Sequence, residues 1–134
     1  MIAARLPDWR PRLVAYLEEV RHRPFAYGSH DCALFVAGAV ESMTGFDASA
    51  GFRGRYDDLK AGLKLVAGED HVQLVRRLFE EVAPAFAQVG DIAVIGEIGI
   101  PALGIFEGEM ILVLRDEGLG RMPRAAATLA FRVP

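Results

Sequence analysis

The apolar positions near the start of the chain recur at the three- and four-residue spacing of one helix face. They predict a helix that begins after Asp8, a suitable N-cap, and that Pro24 stops because proline cannot continue a helix. The apolar positions on this face are Trp9, Leu13, Tyr16, Leu17 and Val20.

A second helix is predicted from Cys32 to Gly45. Asp31 stands at the N-cap position, and Gly45 is a suitable C-terminal stop. The residues between them are apolar on nearly every side, unlike those of a surface helix. We therefore expect this helix to be the buried, central one.

The pattern weakens after the second helix. Residues 46–55 are rich in Gly, Ala and Arg and are expected to form a loop. Residues 56–66 predict a weaker third helix that carries a glycine inside it. A fourth helix is predicted over 71–82, between an Asp70 cap and Pro84.

The second half of the chain consists of short apolar runs separated by glycine with glutamate or proline, which is typical of strands joined by tight turns. Helices followed by a series of strands favour an α+β domain with an antiparallel sheet. We expect residues 1–134 to form this single domain. The predicted strands are 91–95, 100–106, 110–114, 121–123 and 130–133.

The composition excludes several classes of protein. Of the 134 residues, 52% are hydrophobic and 25% are charged, and the net charge is −3, which argues against disorder. There is no dense Lys/Arg tract for nucleic acid, no signal peptide, and no apolar stretch near the ~20 residues of a membrane span. We expect a protein made in the cytoplasm, with neither a nucleic-acid partner nor a membrane span.

Cys32 is the only cysteine, and it falls on the first turn of the second helix. A helix N-terminus carries partial positive charge and unpaired N–H groups, which stabilise a thiolate and can receive an oxyanion. A free cysteine is also among the most buried and inert residue types. Nucleophilic activity of Cys32 therefore requires a base nearby.

Four short segments around this thiol resemble the NlpC branch of the papain-like cell-wall peptidases, across roughly residues 24–114. In chain order they are Pro24-Phe25-Ala26-Tyr27-Gly28, Asp31-Cys32, Gly90-Asp91 and Gly104-Ile105-Phe106-Glu107-Gly108. Within that branch, the version with Gly28-Ser29-His30-Asp31-Cys32-Ala33-Leu34-Phe35 and then Phe52-Arg53-Gly54-Arg55-Tyr56 is most similar to a small protein encoded among tail genes of siphophages and prophages. The resemblance implies a papain-like, NlpC-type fold.

The chain departs from the family where the family carries its polar catalytic groups. The resemblance places the catalytic histidine at Ala102, which is 102 − 32 = 70 residues after the nucleophile, and a methyl group cannot accept its proton. The family's tyrosine near the nucleophile corresponds to Phe25, which has no hydroxyl. The residue that orients the histidine should fall within 110–114, which is wholly apolar. Loss of a general base costs about 10²–10⁴ in rate.

Other residues leave alternatives open. His30 lies two residues before Cys32 and could act as a substitute base, or could pin the turn by hydrogen bonds. Asp91 could be catalytic or could form a turn at the start of a strand. No His, Cys and Asp residues have the spacing of a metal site, and no glycine-rich phosphate loop or other cofactor motif is found.

Two functions are consistent with these observations. The first is a component of a phage tail tip or baseplate, with a catalytically degenerate papain-like fold, that binds other tail proteins and possibly cell-wall peptide. The second is an active cysteine peptidase or amidase that cleaves bacterial cell-wall peptides with Cys32 as nucleophile and with His30 or an outside group as base. The missing histidine favours the first, which implies a protein located in the tail of the virion.

Overall fold

The computed structural model describes residues 4–51, 53–58, 61, 71–96 and 102–134. Within these ranges the fold is α+β, with three α-helices and one six-stranded antiparallel sheet. The helices are α1 (Trp9–Val20), α2 (Cys32–Thr44) and α3 (His71–Leu78). The strands are β1 (Glu80–Val82), β2 (Ile92–Ile95), β3 (Ala102–Phe106), β4 (Met110–Arg115), β5 (Gly118–Pro123) and β6 (Ala127–Arg132).

The strands of the sheet follow the order β1-β6-β2-β3-β4-β5, and every neighbouring pair is antiparallel. Strands β2 to β5 form a simple meander, whereas β6 returns to pair with β2 on one side and β1 on the other. The two central strands β2 and β3 are buried almost throughout, since both faces of the sheet are covered by side chains. Strand β3 also contacts helix α2.

Helix α2 lies between α1 and the sheet and contacts β3 and β4. Its apolar side chains are buried on nearly every side, as the sequence predicts for a central helix. Phe35, Ala39 and Met43 are fully buried among residues of β2, β3 and β6. The helix therefore fixes Cys32, its first residue, against the sheet.

The predicted first two helices are confirmed, with one difference in capping. Asp31 accepts a hydrogen bond from the backbone N–H of Leu34 at 2.9 Å, and Gly45 ends α2 in the left-handed conformation at φ 81°. Asp8 occupies the predicted N-cap position of α1 but makes no capping hydrogen bond. Its carboxylate pairs instead with Arg12, one turn along the helix, at 2.8 Å.

The predicted helix over 71–82 is wrong beyond Leu78. Residues Glu80–Val82 form β1 and pair with β6, because their backbone groups complete the edge of the sheet. The predicted strands 121–123 and 130–133 belong to longer strands, β5 and β6. The predicted helix over 56–66 and the Asp70 cap lie largely outside the described residues. In the described part of the chain, no helix has the length and apolar character needed to cross a membrane.

Candidate functional site

The turn that leads into α2 is organised by Asp31, whose carboxylate is buried. One oxygen accepts the N–H of Leu34 at 2.9 Å, and the other accepts the N–H of Gly28 at 3.1 Å. The second oxygen also accepts a hydrogen bond from the hydroxyl of Tyr56. Three donors from separate positions therefore hold the segment immediately before Cys32.

The thiol of Cys32 is half-buried at the N-terminus of α2. Burial raises its pKa above the usual value, and the negative charge of Asp31 raises it further. A backbone hydrogen bond from Leu103 at the sheet acts in the opposite direction, as do backbone groups at the helix start. Desolvation has the largest effect, so the thiol is protonated at neutral pH.

Leu103, the second residue of β3, contacts Cys32 through its backbone. Ala102, the residue before it, therefore lies next to this contact. Ala102 begins β3, pairs with Ile95 of β2 and is exposed. The position that the family resemblance assigns to the catalytic histidine is therefore the chain neighbour of the backbone group that touches the thiol. At this position the chain carries only a methyl group.

Tyr56 is a site residue that the sequence analysis did not single out. The burial of its ring, its hydrogen bond to Asp31 and the charge of Asp31 all raise the pKa of its hydroxyl. Such a hydroxyl keeps its proton and acts as a donor, not as a base. The only sequence signal for it is its place at the end of the Phe52-Arg53-Gly54-Arg55-Tyr56 segment, where an apolar helical role was predicted.

The segment that carries Tyr56 is held closely against the turn before α2. Gly54 donates its N–H to the carbonyl of Gly28 at 2.7 Å. Gly28 has a φ of 81°, and a Cβ there would overlap the backbone carbonyl of Tyr56. Glycine at position 28 therefore permits the close approach that brings the tyrosine hydroxyl to Asp31.

Phe25, the position at which the sequence resemblance implies a tyrosine, packs against another aromatic ring. Its ring meets Tyr27 edge to face, with the ring centroids 4.8 Å apart, and its N–H donates to the carbonyl of Asp116 at 3.2 Å. It brings no polar side-chain group to the thiol.

His30 is buried, with 3% of its surface exposed, and its ring packs edge to face against Phe35. Its backbone pairs with Ala26 in both directions, at 2.9 and 2.8 Å, which closes the turn. The imidazole Nε2 has no hydrogen-bond partner among the described residues. Burial and the nearby charge of Arg23 lower the pKa of His30. No hydrogen bond within the described ranges joins it to Cys32, and its role as a base remains a prediction.

Asp91 lies in a network that closes the two ends of the chain. One carboxylate oxygen accepts from the Arg5 guanidinium at 2.9 Å and from the N–H of Val133 at 3.1 Å, and the other accepts from the N–H of Gln88 at 2.8 Å. Arg5 also donates to the carbonyl of Val89 at 2.8 Å. These contacts support the structural interpretation of Asp91, at the turn before β2.

The residues that the structure describes contain no group of three or more His, Cys, Asp or Glu side chains arranged to hold a metal ion. The features that meet at the start of α2 are therefore a protonated thiol, a buried carboxylate and a phenolic donor. They can bind or orient a polar group, and no hydrogen bond among the described residues joins the Asp31 carboxylate or the Tyr56 hydroxyl to the thiol.

One family model matches residues 4–133, and its description is a domain of unknown function, DUF6950. The match covers nearly the whole chain, including every residue of the site described above. No curated protein matches the sequence.

Proposed function

Because the chain belongs to DUF6950, whose function is unassigned, we propose its function from the site itself. We propose that it is a papain-like, NlpC-type domain that has lost its catalytic base and serves as a structural or binding module of a phage tail tip or baseplate. The observation that carries the proposed loss of activity is the raised pKa of the Cys32 thiol, which contacts the Leu103 backbone while the residue before it, Ala102, carries only a methyl group.

The papain-like part of the proposal is supported by the way the nucleophile position is built. Cys32 begins the buried central helix, and the start of β3 touches its sulfur through Leu103. A cysteine on a helix N-terminus that faces a histidine on an adjacent strand is the arrangement the family resemblance implies. The contact between Cys32, the first residue of α2, and Leu103, the second residue of β3, supports this part of the proposal, and position 102 carries no imidazole.

The argument against catalysis rests on the ionisation of the thiol. The thiolate is the nucleophile, and an isolated cysteine with a pKa near 8.5 is only about 3% ionised at pH 7. Burial raises the pKa of Cys32 further, and Tyr56 retains its own proton. An enzyme of this type needs a base that removes the thiol proton and later protonates the leaving group.

Catalytic loss is tested by comparing the chain with its Cys32→Ala variant on purified cell-wall peptide. We expect no release of peptide fragments above the level of the variant, as measured by mass spectrometry. Release that Cys32→Ala abolishes would establish the alternative function, a cysteine hydrolase of cell-wall peptide with Cys32 as nucleophile.

The location in the tail is tested separately. A tagged copy of the chain is expressed from the phage or prophage that encodes it, and purified virions are probed for the tag beside a capsid and a tail marker. We expect the tag in intact particles and in isolated tails. A tag that remains wholly in the lysate supernatant would exclude a virion component, whatever the result on cell-wall peptide.

A further inference from the structure

A polar cleft of about 680 Å³ opens between α1 and α2. Ser29 and His30, Leu34 of α2 and Arg53 of the following loop contribute to its walls. The described residues that line it do not include Cys32 or Ala102. The cleft is large enough for a small organic molecule and is separate from the thiol site.

The inner wall of this cleft contains the unpartnered imidazole of His30. A ring nitrogen that is buried without a hydrogen bond costs free energy, and most buried polar groups in native proteins have a partner. The Nε2 atom of His30 is buried and lacks one among the described residues. Within the described ranges, His30 therefore brings an imidazole without a side-chain partner to the inner wall of the cleft.

The rest of the inner wall is held rigidly. Tyr16 donates its hydroxyl hydrogen to the carbonyl of Phe35 at 2.8 Å, and its ring stacks on the Phe35 ring. Gly38 of α2 allows this, since a Cβ there would overlap the Tyr16 ring, at 2.6 Å from Cζ. A wall that is already ordered loses little conformational entropy when a ligand binds.

Charged side chains of both signs surround the opening. Arg12 is paired with Asp8 at 2.8 Å, and Arg53 with Asp47 at 3.5 Å. The remaining charged residues of the lining are one cation and two carboxylates. They are Arg23, Glu19 and Glu41, and none of them has an ion pair in the described part of the chain.

These three charges, without an ion pair among the described residues, line the same cleft. Burial raises the pKa of the Tyr16 hydroxyl at its inner wall, and the charges of Arg53, Arg23, Glu19 and Glu41 act on the same hydroxyl. Arg23 also acts on His30. A ligand that complements this arrangement carries a negative group and a positive group within one small molecule.

We propose that the cleft binds a small zwitterion, an amino acid or a short peptide with free ends. Its carboxylate pairs with Arg23, and its ammonium group lies against Glu19 and Glu41. The volume exceeds that of a single small amino acid, so a short peptide is the better fit. This binding does not depend on any activity of Cys32.

The test uses the dipeptide Ala-Ala and two blocked forms, N-acetyl-Ala-Ala and Ala-Ala amide, titrated into the full chain by calorimetry. Charge-assisted hydrogen bonds are the strong ones, so we expect each blocked form to bind at least ~10-fold more weakly than the free dipeptide. Equal binding of the three peptides, or no binding of Ala-Ala at 20 mM, would overturn the proposal.

Variants assign each charge to its partner. Arg23→Gln is expected to weaken Ala-Ala at least ~10-fold and to abolish the preference for the free carboxylate over the amide. The double change Glu19→Gln and Glu41→Gln is expected to abolish the preference for the free amine. Arg132→Gln and Glu117→Gln, exposed charges that do not line the cleft, serve as matched controls.

Two further readouts exclude a merely structural effect. Thermal unfolding of each variant shows whether it is folded, and a folded Arg23→Gln variant that binds Ala-Ala like the original chain contradicts the proposal. Imidazole ¹⁵N shifts should change on binding for His30 and not for the exposed His22. The Cys32→Ser variant should bind the dipeptide with unchanged affinity.

Discussion

Replacing Ala102 by histidine tests directly whether a missing base leaves the pKa of the Cys32 thiol raised. Ala102 is exposed at the start of β3, so an imidazole there does not overpack the core, and the change in stability should be within about 0.5 kcal/mol. Its neighbour Leu103 already contacts the thiol through the backbone. We therefore expect the new side chain to reach the sulfur and to form an ion pair with the thiolate.

The expected effect is a lower thiol pKa. A cationic partner within a few ångströms lowers the pKa of an acidic group by about 1–3 units. For a cysteine of ordinary pKa near 8.5, a fall of 2 units raises the thiolate fraction at pH 7 from about 3% to about 75%, roughly 25-fold. The nucleophilicity of each thiolate falls by a factor of about 6–10, so the net rate at pH 7 rises about 2.5–4-fold. The pKa of Cys32 starts above the ordinary value, so its thiolate fraction starts lower and its relative gain is larger.

The midpoint of the pH profile is therefore a sharper readout than the rate. Alkylation by iodoacetamide is followed by mass spectrometry from pH 5 to pH 10, and Cys32 is the only cysteine, so the signal belongs to one site. The Ala102→Gln variant is the matched control, since it adds polar bulk without a titrating group. The histidine variant should shift the midpoint downward, and the glutamine variant should not.

Two results would refute this reasoning. If the folded histidine variant and the original chain share one midpoint, position 102 does not face the thiol. If the original chain already alkylates with a midpoint below pH 7, another group supplies the missing charge, and the loss of the base does not explain the site.

Three further predictions follow from the buried polar contacts. Asp91→Ala leaves the half-buried Arg5 cation without its partner and should lower the free energy of unfolding by about 3–5 kcal/mol in urea titrations, whereas unchanged stability would contradict the structural role of the pair. Tyr56→Phe removes a donor from the buried carboxylate of Asp31 and should cost about 1–3 kcal/mol by the same measurement, and a neutral effect would mean that water replaces the hydroxyl. Because burial lowers the pKa of His30, the unfolded chain takes up its proton first, so stability is fully present above pH ~6.5 and is lost as pH falls through the folded pKa. In urea titrations at pH 7.5 and pH 5.5, His30→Gln should reduce this loss, and an unchanged difference would show that His30 does not contribute to it.

The parts of the fold that sequence patterns predicted are those with local causes. Asp31 caps α2 and Gly45 ends it through contacts within a few residues, and both are visible in the sequence. The strand at Glu80–Val82 has a non-local cause, its pairing with β6 some fifty residues later. Val82, the apolar residue of this strand, falls at the helical spacing of the apolar positions before it. A prediction from periodicity alone therefore extended the helix as far as Val82.

In the candidate site too, residues with local sequence signals were predicted and residues with distant partners were not. Cys32 and Ala102 were identified from the sequence because they occupy defined positions in an ordered set of motifs. The hydroxyl of Tyr56 was missed because its partner, Asp31, lies 25 residues earlier in the chain. The cleft around His30 could not be predicted at all, since its walls come from α1, α2 and a loop that only the tertiary fold brings together.

The contacts of Asp31 explain how the turn before α2 is held in place while the pKa of the Cys32 thiol is raised. Its carboxylate caps α2, closes the turn at Gly28 and accepts the Tyr56 hydroxyl, so three parts of the chain depend on it. The same negative charge lies next to Cys32 and raises its pKa, which counteracts the favourable helix N-terminus. An imidazolium at position 102 would offset both this charge and the burial of the sulfur. Without it, the groups that hold Cys32 in the position of a nucleophile also keep the thiol protonated.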